Sequence, residues 1–109
     1  MQTQTARVSV SMGGNDMLCS IHGDIDHHNA RVIRMQIDDE LYKQRPRKLT
    51  LDLSRVEFMD SSGLGLILGR VERASSLRTS VRVTGLSPTL MKLVRLAGIE
   101  RVKNLTVTK

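Results

Sequence analysis

An acid, two hydroxyls and two glycines fall together in Asp60-Ser61-Ser62-Gly63-Leu64-Gly65, where a strand-like run gives way to a helix-like one. A helix start offers free backbone N–H groups and roughly half a positive charge. It is a natural seat for an anion such as phosphate. A serine hydroxyl there can receive a phosphoryl group with little rearrangement of the fold. Gly63 is expected to leave the backbone beside it open, so that another protein's active site can approach. Phosphorylation adds about −1.5 to −2 charges at one spot, and Asp60 already makes that spot acidic. A partner surface that tolerates a neutral hydroxyl then rejects the dianion. The same four residues also make an ordinary turn and helix cap. On physical grounds alone the cap reading carries the greater weight.

Other chemistries fit less well. Ser62 lacks the glycine two residues before it that a nucleophile elbow requires, and the histidines are only His22, His27 and His28. Gly63-Leu64-Gly65 has neither the rest of a dinucleotide fingerprint nor a P-loop lysine. His27 and His28 are adjacent, so on a helix they point about 100° apart and do not converge on one ion. Solvated first-turn histidines are expected instead. No catalytic residue, metal or cofactor follows from these patterns.

The charged residues are 17 basic against 11 acidic, a formal charge of +6. That balance raises nucleic acid, an anionic membrane or an acidic partner. The aromatic residues are only Tyr42 and Phe58, which leaves no stacking platform for single-stranded nucleic acid. The basic loop Lys43-Gln44-Arg45-Pro46-Arg47-Lys48 reads as a solvated loop, or as a surface for an acidic partner. Cys19, the lone cysteine, excludes an internal disulfide and fits a reducing compartment. No apolar run is long enough for a membrane span, and MQTQTARVSV lacks the apolar core of a secretory signal. A cytoplasmic protein is expected.

The elements that position the motif follow from periodicity. Val8, Val10 and Met12 alternate with polar residues, as do Met17, Cys19 and Ile21, with Gly13-Gly14-Asn15-Asp16 as the turn of a β-hairpin. Asp24 or Asp26 can cap a helix whose apolar face is Ala30, Ile33, Ile37 and Leu41. Pro46 stops it. Leu49, Leu51 and Leu53 make a third strand. Leu64, Ile67, Leu68 and Val71 then predict a helix that starts near Ser61 or Ser62 and runs to about Ser76. Val81 and Val83 make a fourth strand. Ser87-Pro88 starts a helix through Leu90, Leu93, Val94 and Ala97 that stops at Gly98. Ile99, Val102, Leu105 and Val107 are expected to supply a last strand. The order β-β-α-β-α-β-α-β predicts an α/β fold, a single domain over 1–109 with at least partly parallel strands.

On the second helix, Ser62, Leu66, Gly69, Arg70 and Arg73 share a face distinct from the expected core stripe. Leu66 is therefore expected to be an exposed apolar residue one turn after the serine. Gly65 and Gly69 leave shallow spots beside it. A small apolar patch next to a switchable hydroxyl suits a reversible interface.

GDIDHHNA (Gly23 to Ala30), LTLDLSRVEFMDSSGLGLILGR (Leu49 to Arg70) and VTGLSPTLMKLVRLAGIERV (Val83 to Val102) resemble anti-sigma factor antagonists with a STAS domain, in particular the sporulation sigma-F type. The resemblance spans nearly the whole chain. It implies a mixed sheet of about five strands with helices packed against it, and a partner-switching role. The unphosphorylated protein would bind an anti-sigma factor that is also a serine kinase, freeing the sigma factor. The kinase would then phosphorylate Ser62, and a phosphoserine phosphatase would reset it. Asp60 and Ser61 would flank the phosphoacceptor, and Asp24 and the Asp26-to-Asn29 turn, with His27, would lie near the same surface as docking partners. Gly63, Leu66 and Arg70, read from the helix itself, are expected to join them. Direct binding to nucleic acid or membrane is not implied. A structural STAS subunit of a larger signalling or lipid-transport assembly, without a phospho-switch, is the alternative. Two departures stand out: the charge of +6, and a chain ending at Lys109 so soon after the last strand that the usual C-terminal helix is expected to be short or missing.

Overall fold

The computed structural model describes residues 7–108. The first six residues of the segment read for a secretory signal lie outside the described residues. Strands β1 (Arg7–Gly13) and β2 (Asp16–His22) form the expected hairpin, antiparallel and in register from Arg7–His22 to Gly13–Asp16. Helix α1 (Ala30–Gln44) follows, then β3 (Lys48–Arg55), α2 (Ser61–Ser76), β4 (Ser80–Thr84), α3 (Pro88–Leu96) and β5 (Leu105–Val107). The sheet runs β1-β2-β3-β4-β5, and every pair after the hairpin is parallel.

Strand order therefore equals chain order. Each crossover steps one strand in the same direction, and right-handed connections of that kind place all three helices on one face of the sheet. The burial pattern agrees. Met17, Cys19 and Ile21 of β2 and Val81 and Val83 of β4 point into the core, while Leu18 and Arg82 are exposed on the other face. Central β3 is covered most completely, with Leu49, Leu51 and Leu53 all buried. Cys19 is one of these core residues, and burial, with a smaller contribution from Glu40, pushes its thiol up to about 12.

The helix ends have local causes. α1 buries Ile33, Ile37 and Leu41, and its C-terminus is closed by Arg45 in the left-handed region, whose N–H donates to Leu41 O. Neither Asp24 nor Asp26 is its N-cap, contrary to expectation. Asn29 holds that position, because the Asp26 carboxylate is engaged in its own turn with the N–H groups of His28 and Asn29. Ser87 caps α3 by accepting from Leu90 N, with Pro88 in the first turn. The last strand is shorter than the apolar pattern suggests. Ile99–Arg101 forms a 3-10 turn after Gly98, and Ile99 is buried there, so Ile99 and Val102 are not strand residues.

Candidate functional site

The β3–α2 junction is shaped by an alternation of anchors. Val56 and Met59 turn into the core, while Glu57 and Phe58 between them are exposed. Asp60 then adopts an extended backbone and acts as the N-cap of α2: its Oδ1 accepts from Ser62 N at 2.8 Å. This satisfies one of the free N–H groups of the first turn. Ser61 is exposed and Ser62 is half-buried. Among the described residues the Ser62 hydroxyl has no hydrogen-bond partner. The cap is made by Asp60, so Ser62's own oxygen is not used to hold the helix.

The β2–α1 loop is stitched to this junction by main-chain bonds. Gly23 N donates to Arg55 O, Ile25 N to Phe58 O at 3.0 Å, and Asp60 N to Ile25 O at 3.1 Å. The Asp24 carboxylate accepts from Phe58 N at 3.2 Å. Ile25, fully buried, bridges to Met59 in parallel register. The two loops are thus tied together, and Asp24, Asp60, Ser61 and Ser62 lie on the joined segment. His27 and His28 are exposed on the following turn with their rings 4.0 Å apart. Among the described residues no group of histidines, cysteines and acids could hold a metal ion.

Three sequence-based expectations about α2 are corrected. Gly63 is buried, not an open approach to the backbone. A Cβ there would run into the Met59 side chain, so its bare α-carbon serves the packing beneath the helix. Leu66 is buried at 5% exposure, and Leu68 is the exposed apolar residue instead, at 39%. Arg70 is also buried, at 3%. One cause accounts for the last two. α2 is the middle helix of the layer and packs on the sheet and on α1 together, so its buried arc is wide and turned toward α1: Gly63, Leu66, Ile67, Arg70, Val71 and Ala74.

At the α1–α2 seam Arg70 Nε lies 3.0 Å from Asp38 Oδ1. Neither that nitrogen nor Nη1 makes an aligned hydrogen bond, so the contact is mainly one of charge. Burial pulls the Arg70 guanidinium below its ordinary value; Asp38 opposes this, while Arg34 and Arg73 add to it. Arg73, on the solvent side, donates from Nη1 to the Tyr42 hydroxyl at 2.7 Å, and that bond raises it.

Phe58 is the surface residue the sequence reading missed. It is 53% exposed and sits four residues before Ser62. The signal lies in the pairing of Phe58 with Met59: adjacent residues on extended backbone face opposite ways, and Met59 takes the inside.

The described chain matches the STAS domain over residues 7–108. It is 30% identical over 86 residues to an anti-sigma F factor antagonist of Paenibacillus polymyxa, covering 79% of this chain and 74% of that protein. The fold is similar to the anti-sigma factor antagonist SpoIIAA in its unphosphorylated form, with a TM-score of 0.71 at 23% identity over 94% of this chain and 88% of that one. It is equally similar to the Bacillus cell fate determinant SpoIIAA in the phosphorylated form, with a TM-score of 0.70 at 24% identity over 94% and 92%.

Proposed function

We propose that this chain, which belongs to the STAS domain family, is an anti-sigma factor antagonist whose binding is switched at Ser62. Unmodified, it docks on an anti-sigma factor that is also a serine kinase and so releases the sigma factor. Phosphorylation of Ser62 ends that docking, and a phosphoserine phosphatase restores it. The protein is a regulatory module, not an enzyme, acts as one domain over 1–109 in the cytoplasm, and uses neither nucleic acid nor membrane. No helix among the described residues is long and apolar enough to cross a membrane.

The observation that carries the reading is the Ser62 hydroxyl, half-buried and without a partner among the described residues, in the first turn of a helix already capped by Asp60. A phosphate there leaves the cap intact, so the fold need not change. What changes is the surface. The docking surface we propose joins Asp24, His27, Asp60, Ser61 and Ser62 with Phe58 and Leu68, which replace the buried Gly63, Leu66 and Arg70. A partner covering that patch desolvates Ser62. Closing it over a dianion beside the Asp60 carboxylate leaves an uncompensated charge, at a cost of about 3 kcal/mol or more. Intact-mass measurement after incubation with the cognate kinase and ATP tests the acceptor. Wild type gains one phosphate and Ser62→Ala none. A phosphate on Ser62→Ala refutes the assignment, and Ser62→Asp binding the kinase as well as wild type refutes the switch.

A further inference from the structure

The basic loop Lys43–Lys48 takes no part in the switch, since Lys48 begins β3 and Ser62 follows its far end. The turn Gly13–Asp16, the loop Lys43–Lys48, the segment Ser75–Ser80 and the stretch Lys103–Leu105 meet at this opposite end. Arg47 N donates to Asn15 O, Ser80 N to Arg47 O, and Val81 N to Asn104 O. These segments hold Lys43, Arg45, Arg47, Lys48, Arg78 and Lys103 against the single acid Asp16.

A cavity of about 460 Å³ opens among them, lined by Arg47, Ser75, Arg78, Thr79, Ser80 and Asn104. Four of its carbonyl oxygens already have donors. Arg47 O accepts from Ser80 N at 3.0 Å, Ser75 O from Arg78 N at 3.1 Å, Thr79 O from Asn104 Nδ2 at 2.8 Å, and Asn104 O from Val81 N at 3.1 Å. Pro46 O, just beneath, accepts from the buried Thr79 hydroxyl at 2.6 Å. In α2's last turn, Ala74 O takes both Leu77 N and Thr79 N. The charged groups left over are donors. Among the described residues the guanidiniums of Arg47 and Arg78 have no carboxylate and no hydrogen-bond partner. Ser75 Oγ accepts from Asn104, which leaves its proton free. Ser80 Oγ makes only a long bond of 3.4 Å to Arg47 O.

We propose that this cavity binds the phosphate groups of a small di- or polyphosphate anion. Two guanidiniums without carboxylates, flanked by the Ser75 and Ser80 hydroxyls, present forked donors to tetrahedral oxyanions. The volume suits more than one phosphoryl group and lies within the range of about 300–1,000 Å³ usual for small-ligand sites. With no acid in the lining, a cation has no counter-charge there. The site is separate from Ser62 and stands or falls independently of the switch.

The test is an amide chemical-shift titration of the full chain with pyrophosphate, at ionic strength held constant with chloride. Saturable shifts are expected at Arg47, Arg78, Ser80 and Asn104, with Asp60 and Ser62 unmoved. Arg47→Gln/Arg78→Gln should weaken binding roughly tenfold or more. Arg47→Lys/Arg78→Lys, which keeps charge but loses the fork, should fall between. Lys92→Gln on α3 should have no effect. Shifts that never saturate, that chloride reproduces, or that survive in the glutamine variant overturn the proposal. So does binding to phosphatidic acid vesicles without any to free pyrophosphate, which would make the ligand a lipid surface.

Discussion

Replacing Arg70 by methionine tests how the α1–α2 seam is held. Arg70 is 3% exposed, and Asp38 retains 14% of its side chain in solvent. Methionine fills much of the same aliphatic volume, so the main loss is the countercharge, and the Asp38 carboxylate is left nearly buried and alone. Breaking a buried pair on one side costs about 3–5 kcal/mol. Because Asp38 keeps some solvent, the low end, about 3 kcal/mol, is expected. With a urea m-value of about 1–3 kcal/mol/M for a domain of this size, the unfolding midpoint should drop by roughly 1–3 M without a change in slope. Asp38→Leu alone should cost a similar amount, since it strands the guanidinium. The double variant Asp38→Leu/Arg70→Met should return near wild type, because an apolar pair removes both desolvation penalties. Urea unfolding followed by far-UV circular dichroism, run as a double-mutant cycle, reads all four proteins. If the two single losses simply add in the double variant, the pair is not coupled and the seam is held by packing alone.

Further predictions follow from the same geometry. Asp60→Ala should lose about 1 kcal/mol of stability by urea unfolding, since the Ser62 N–H loses its acceptor. Leu66→Ala should cost about 2–5 kcal/mol, whereas Leu68→Ser should stay within about 0.5 kcal/mol; calorimetric melting separates them, and equal losses would contradict the rotated buried arc. Cys19, with its thiol pushed up to about 12 and buried beneath α1, should resist iodoacetamide at pH 8 in the native protein and react fully once unfolded, as intact mass will show.

Most of the fold was legible because its signals are local. The hairpin declares itself by alternation around Gly14-Asn15, and α3 by the Ser87-Pro88 start. The bounds of α2 follow from the change of period after Met59. What could not be read locally was rotation. A single amphipathic stripe leads to Leu64, Ile67, Leu68 and Val71, but a helix flanked by α1 as well as the sheet buries a second flank, and an arginine can occupy it when Asp38 lies opposite. Gly63 was misread for a related reason: its neighbour Met59 is adjacent in space through the bend of the junction, not through helical spacing. The Ile99–Val102 pair failed because the two residues stand three apart, which is the period of a 3-10 turn and not the two-residue period of a strand. Ser62 was legible from the motif. Its company was not, because Asp24 reaches Phe58 across a gap that only the parallel pairing of β2 with β3 closes.

The strand order has a consequence for how the molecule is made. Because each strand pairs with its predecessor, no segment must be threaded between two others, and the sheet can grow by accretion as the chain leaves the ribosome. Each nascent stage ends in a bare parallel edge that would invite pairing with a neighbouring polypeptide. The finished protein closes that liability sparingly: β5 reaches only from Val81 to Val83 along β4, and three residues offer a stranger little length to extend.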